Sequence, residues 1–544
     1  MARTPLLSSV ARLAREHQRA LARGVPVEAI RELDARQRCT AGLDRRSFLG
    51  ASAAAAGTLV LPRFARAQTQ PRIAIVGAGM AGLSAALKLA DNGVASTVYE
   101  ANERVGGRMY SNTDYFEQDQ VFEWCGELID SGHKTVRRLA TRFGLVLDDL
   151  LAAEPTGSKE TYYFFGQYYP KAEADRDFKR IVPLLREDLR MAGPQTTVFD
   201  STQWGRMLNR MSLYDWIEWR VPGGHASPLG ALLDTAYYIE LNSDTREQSA
   251  LNLVYLLGYQ PSWNELHMFG VSDEKYHVRG GNQQIPMAIA HRLGPDMVKT
   301  GFRMEAIRQT ASGVCELTLC KDGVTHIMHA DLVLLTTPFA VLRDLDISRA
   351  RFDTKKINAI QQLGAGRQSK QHLQFNRRAW YDKGSKPDIG NGSGYSDTGY
   401  QATWETSRAQ PGTKGILVGY AGGAFADAMN SNVAFATSAS TRVRRDAQRF
   451  LQQAEPVYAG LSASWNGLST QGLPHLDPNM KCSYSYFKVG QYETIAGYER
   501  VRQGNVFFAG EHCSFDFQGF MEGAATEGQR AALEMLAAVG VAAT

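Results

Sequence analysis

Three glycines and one acid carry the first chemistry legible in the chain. Gly77-x-Gly79-x-x-Gly82, with Glu100 further along, is a spacing suited to the pyrophosphate and ribose of a dinucleotide. Gly77 permits a tight turn. Gly79 lets backbone N–H groups, including those of Met80 and Ala81, approach phosphate. Gly82 lets a helix pack close to a strand, and Glu100 can accept hydrogen bonds from ribose hydroxyls. The flanking pattern supplies the elements these residues need. Ile73 to Val76 reads as a buried parallel strand. Leu83, Ala86, Leu87 and Ala90 define one face of a helix, and Ser96 to Tyr99 a second strand ending at Glu100.

Two further motifs extend this unit. Glu103-Arg104-Val105-Gly106-Gly107-Arg108 is a second glycine pair between arginines, suited to a second phosphate-facing loop because guanidinium groups grip phosphate as a fork. Near the far end, Val506 to Ala509 reads as a strand and Gly510-Glu511 as a turn. Gly519-Phe520-Met521-Glu522-Gly523 then opens a helix running to Leu536, another helix N-terminus able to face an anion. Together these stretches resemble the flavin-containing amine oxidase family, which includes monoamine, polyamine and L-amino-acid oxidases. The resemblance spans nearly all of the chain after the leader and implies FAD. It also implies that the sheet is assembled from distant segments: an α/β protein with a discontinuous Rossmann-like FAD-binding domain and a mixed α+β substrate domain. The expected FAD-binding parts are residues 71–126, 270–345 and 476–544. The expected substrate parts are the helical 127–269 and the sheet-forming 346–475.

Within those parts the pattern predicts helices near 131–143, 172–192, 211–219 and 246–258, a buried strand in Ala330 to Thr337, and strands at His372 to Phe375 and Ile416 to Tyr420. The Gly/Ser/Asp-rich stretch 384–399 reads as a surface loop.

The resemblance assigns roles to single residues. Lys370, ten residues before Trp380, matches the family lysine that holds a water at flavin N5 and assists reoxidation by O2. By position alone it could equally be a solvated lysine at the start of an edge strand. Phe520 matches the aromatic residue in front of the flavin, and Val298 the valine whose backbone meets adenine. His512 is expected to be a hydrogen-bonding neighbour of the flavin. Cys482 has the spacing of the cysteine that carries flavin covalently in monoamine oxidases, but Ser483 stands where that group has tyrosine. The departure points to a buried free thiol and non-covalent FAD. L-Amino-acid oxidases place an arginine in a Gly-x-x-Arg context after the first motif. This chain has Gly126-Glu127-Leu128-Ile129 there. A buried carboxylate needs a cation, and Arg220, in Trp216-x-x-Trp219-Arg220, is the candidate to replace it.

The implied reaction is oxidative deamination of an L-amino acid to a 2-oxo acid, ammonia and H2O2. A monoamine or polyamine oxidase giving an aldehyde is the alternative, and a non-catalytic FAD-binding protein a weaker one. The partners are a small amine or amino acid and O2, with a homodimer possible. Asp44-Arg45-Arg46-Ser47-Phe48-Leu49-Gly50, an alanine-rich run and Ala65-Arg66-Ala67 mark residues 1–67 as a Tat leader, so export by the Tat translocase to the periplasm or beyond is expected. The net charge of +4 comes partly from that leader, with no basic stripe suited to nucleic acid. The six cysteines match neither a zinc site nor a disulfide framework, so no metal is expected.

Overall fold

The computed structural model describes residues 71–429 and 431–542; the leader lies outside the described residues. Five short strands form a parallel sheet in the order Val506–Phe508, Leu332–Leu335, Ile73–Val76, Thr97–Tyr99 and Val298–Lys299. They come from three separate stretches of chain. The central Ile73–Val76 strand is buried along its whole length, as an apolar run with helices on both faces must be. Helix Met80–Asp91 covers this sheet and packs on helix Met521–Ala538. The approach is close enough that a Cβ on Gly528 would lie 2.1 Å from the Ala81 carbonyl oxygen.

The second large layer is an eight-stranded mixed sheet. Its order is Phe435–Thr437, Trp465–Gly472, Gln368–Phe375, Gly415–Gly422, Ala402–Glu405, Gly390–Ser396, Lys159–Phe164 and Gln167–Tyr168. Helices Lys171–Ala192, Leu213–Arg220, Pro228–Leu241 and Ala250–Leu257 share one apolar core that reaches this sheet. Ser212, Ser227 and Ser249 cap three of them by accepting backbone N–H bonds in the first turn.

Two expectations are corrected here. The 384–399 stretch is not a surface loop throughout, because Gly390–Ser396 is a strand inside the sheet. Its glycines are a packing requirement: a Cβ on Gly394 would sit 2.6 Å from the Thr161 carbonyl oxygen of the neighbouring strand. Lys370 does not start an edge strand. It is the third residue of Gln368–Phe375, which is paired on both sides. The helical stretch 127–269 also supplies Lys159–Phe164 to the sheet.

Candidate active site

A single cavity of about 1040 Å³ runs from the parallel sheet to the eight-stranded sheet. At its first end the glycine turn is shaped as the sequence predicts. Gly77 has φ +103°, and a Cβ on Gly82 would lie 2.0 Å from the Gly77 carbonyl oxygen. Around Gly79 the space is open. The Gly106-Gly107 turn rests on it, with Gly106 N–H donating to Ala78 O at 2.8 Å. Helices Met80–Asp91 and Met521–Ala538 both point N-termini without side-chain caps toward the cavity, so their free N–H groups and partial positive charge face it.

Glu100 lines this end and is buried. Its carboxylate accepts from Ala78 N–H at 2.7 Å and from Asn102 N–H at 2.9 Å, so it also ties the glycine turn to the strand end. Burial raises its pKa, and those hydrogen bonds oppose the rise. Glu100→Ala is expected to yield mostly apoprotein, rescued in part by excess FAD. An unchanged flavin-to-protein absorbance ratio after purification would refute the role.

The arginines beside Gly106-Gly107 act mainly within the protein. Arg104 donates to Gly107 O at 2.7 Å and stacks on Tyr110. Arg108 reaches Ser483 O at 2.8 Å and Glu511 at 3.0 Å, joining the second motif to the last one. Glu511 also accepts from Gly519 N–H at 3.0 Å. Gly510, Gly519, Phe520 and Met521 all line the cavity. Val298 does not; the residues that reach the wall there are Phe302, Arg303 and Met304, just beyond it in the next strand. Val298 instead sits at the edge of the parallel sheet.

At the far end Lys370 is buried, with Nζ 2.6 Å from Cys125 O and 2.7 Å from Glu127 Oε2. Trp404 Nε1 donates to the other Glu127 oxygen at 3.0 Å. Burial alone would raise the Glu127 pKa, but the Lys370 ammonium outweighs it and holds the carboxyl at about 2. Trp404, Tyr420 and Tyr484 stand beside this pair. The Trp404 and Tyr420 rings are 5.0 Å apart, and the Tyr420 and Tyr484 hydroxyls 3.3 Å apart. None of these aromatics, nor Glu127, was assigned a role by sequence. The only available signal was an acid at Glu127 where an arginine was sought.

Three residues singled out in the sequence do not line the cavity, and for Cys482 that is the expected buried free thiol. Cys482 is buried behind the wall, its thiol pushed up to about 11 by burial. Arg220 is away from the cavity: its guanidinium is bonded to Asp188 at 2.6 and 3.1 Å and lies over Trp219. That ion pair, together with burial, removes it as a partner for a substrate carboxylate.

His512 also lies off the wall. Its ring packs 4.4 Å from Phe339, and neither ring nitrogen has a hydrogen-bond partner among the described residues. Burial lowers its pKa to about 4. The unfolded imidazole binds a proton near pH 6.5, the folded one only near 4, so stability is lost as pH falls through that window, by about 3 kcal/mol in total for this group. Urea unfolding of wild type and His512→Leu from pH 7 to 4 should show a shallower acid slope in the variant. Parallel slopes would refute the assignment.

The chemistry of the donor set fits FAD: two N-terminal helix ends for phosphate, a carboxylate at the strand end for ribose, and room at the upper limit of pockets for drug-sized ligands, roughly 300–1,000 Å³. A cavity joining a dinucleotide cradle to a buried lysine–glutamate pair and an aromatic wall defines a flavin-dependent oxidoreductase. The comparisons place it more narrowly. The family model for flavin-containing amine oxidoreductases matches residues 80–536, and the chain belongs to that family. It is similar to an L-amino-acid oxidase of Vipera ammodytes ammodytes, 23% identical over 499 residues, covering 85% of this chain and 92% of that one. An L-amino-acid oxidase of Demansia vestigiata is 25% identical over 362 residues, 64% of this chain and 65% of that one. Among solved structures, cyclohexylamine oxidase from Brevibacterium oxydans IH-35A superposes with a TM-score of 0.71 at 18% identity, over 87% of this chain and all of that one. Putrescine oxidase bound to putrescine gives 0.70 at 19% identity, over 86% and 99%.

Proposed function

We propose that the protein oxidatively deaminates a primary amine that enters as a cation, giving an aldehyde, ammonia and H2O2. The observation that carries this reading is the charge of the cavity wall. Its inner cations are spent on internal pairs: Lys370 with Glu127, Arg108 with Glu511, and Arg408 with Glu154 at 2.7 Å. Glu160, Glu240 and Glu274 line the same space. A substrate α-carboxylate placed there would face these acids and, among the described residues, no unpaired guanidinium, at high electrostatic cost. An ammonium would be drawn in. This reverses the sequence-based preference for an L-amino acid and makes the absence of arginine after Gly126 the better clue.

FAD, which the Gly77–Gly82 turn, Glu100 and the N-terminal ends of helices Met80–Asp91 and Met521–Ala538 would hold, would supply the two-electron oxidation of the substrate C–N bond and the reaction with O2, and the imine of the substrate would be hydrolysed by water to aldehyde and ammonia. The chain's own contribution is placement. Phe520, Trp404, Tyr420 and Tyr484 shape a largely apolar slot for the alkyl chain. Lys370 supplies a fixed ammonium at the wall, where it can hold a water. The buried, protonated Cys482 supports non-covalent FAD, which acid precipitation would release into the supernatant; colour kept in the pellet would refute this. The leader supports Tat export of the folded holoenzyme.

The L-amino-acid reading is the second one, and the two oxidases of similar sequence favour it. A peroxide-coupled screen of the holoenzyme against hexylamine, tyramine, putrescine, spermidine and the twenty L-amino acids decides between them. Turnover of amines well above every amino acid is expected. Oxidation of amino acids and of no amine would overturn the proposal.

A further inference from the structure

We infer that His133, held by Asp130, is a positioning residue for Phe520 and so sets how the slot meets the substrate C–H bond. This rests on the slot role given to Phe520 above, and holds for an amine or an amino acid alike.

Phe520 immediately precedes helix Met521–Ala538 and lines the cavity. A phenyl group turns about two torsions, so its neighbours decide where the ring stands. The His133 ring meets it with centroids 5.3 Å apart at 63°, and meets Phe517 at 5.5 Å and 83°. Both are edge-to-face contacts. His133 is fully buried and does not line the cavity. Its route to a substrate is therefore through Phe520.

Two sets of bonds hold the imidazole in place. Its Nδ1 accepts from Asp130 N–H at 3.0 Å, which puts the ring proton on Nε2, 3.3 Å from Asp130 Oδ2. Asp130 is itself buried, accepting from Ser272 Oγ at 2.8 Å and Glu274 N–H at 2.9 Å, both residues of the cavity wall. Directly after His133 comes helix Lys134–Arg142, whose start has no side-chain cap of its own. Glu522 supplies one from the first turn of the helix that follows Phe520. Its carboxylate accepts from Thr135 N–H at 2.9 Å and from Val136 N–H at 2.8 Å. The two helix starts are thereby locked together, with the His133 and Phe520 rings at the join.

The residue type fits this double duty. Phenylalanine at 133 would keep a ring against Phe520 but lose the acceptor for Asp130 N–H. Asparagine or glutamine would keep the acceptor and lose the ring. Histidine supplies both.

That split provides the test. Holoenzyme is reduced anaerobically by whichever compound of the screen above wild type oxidises fastest, then reoxidised with O2. His133→Asn should slow reduction about tenfold, the size of one lost edge-to-face contact. It should also alter the visible circular dichroism of the flavin, with flavin content and reoxidation retained. His133→Gln repeats the comparison if the asparagine variant folds poorly. His133→Phe should unfold at lower urea, because Asp130 N–H loses its acceptor, yet reduce within about twofold of wild type. On a Phe520→Ala background, His133→Asn should slow reduction no further. Equal slowing in His133→Phe and His133→Asn, normal reduction in both acceptor-keeping variants, or additive losses with Phe520→Ala would overturn the assignment while leaving the slot intact. A Phe520→Ala enzyme that reduces as fast as wild type would overturn the slot role of Phe520, and this inference with it.

Discussion

Lys370→Met should slow reoxidation of the reduced holoenzyme by O2 about 100-fold, with anaerobic reduction by substrate affected far less. The expected size is that of removing one preorganised donor from a buried site, 10²–10³ in rate. The ammonium has little freedom to serve elsewhere: it sits inside a central strand, bonded to the Cys125 carbonyl and to Glu127. The same substitution has a structural cost, because it strands the Glu127 carboxylate with only the Trp404 donor. Breaking a buried pair from one side typically costs about 3–5 kcal/mol. The two effects separate in a cycle with Glu127→Gln. The double variant should regain most of the stability, since no bare charge remains, yet stay slow with O2. Stopped-flow traces of the two half-reactions provide the measurement. Equal slowing of both, or recovery of the O2 reaction in the double variant, would show that Lys370 is only a partner for Glu127.

The cofactor end of the cavity was legible in the sequence because its demands fall on backbone. A φ of +103° at Gly77 and a 2.0 Å approach at Gly82 can be met only by glycine, so the requirement is written in residue type and local spacing. Glu100 follows from the strand that must end there. One register slip occurred: the wall is reached at Phe302–Met304, not at Val298, because both stretches read as short strands and only the sheet edge separates them. The substrate end was not legible. Glu127, Glu240, Glu274, Trp404, Tyr420 and Tyr484 come from six different elements and loops and meet only through the eight-stranded sheet and the helices on it. No local pattern marks an acid or an aromatic that will face a cavity and not a core. Gly390–Ser396 failed for a related reason: glycines chosen for close strand approach look, in sequence, like glycines chosen for a turn.

Arg220 gives the sharpest separation between a residue that looks functional and one that holds the fold. Its guanidinium forks onto Asp188, which is fully buried and also accepts from Trp204 Nε1 at 3.1 Å and Trp216 Nε1 at 2.8 Å. Asp188 belongs to helix Lys171–Ala192 and Arg220 ends helix Leu213–Arg220, so the pair clamps two helices of the substrate layer. Arg220→Ala leaves the Asp188 charge buried with two indole donors and no cation. The expected loss is about 3–5 kcal/mol of stability, a change of several hundredfold or more in the unfolding constant, read from urea titrations. Asp188→Asn combined with Arg220→Met should recover much of it, because a charge-free pair of similar shape carries no such penalty. Catalysis gives the opposing signature. A carboxylate-binding arginine would show its loss only with amino acids and spare their decarboxylated amines. A helix clamp lowers the folded fraction and affects both substrates alike, and equal losses are expected. If Arg220→Ala kept wild-type stability and lost only amino-acid turnover, the residue would have to move into the cavity during the reaction, and the amine reading of the wall would fail with it.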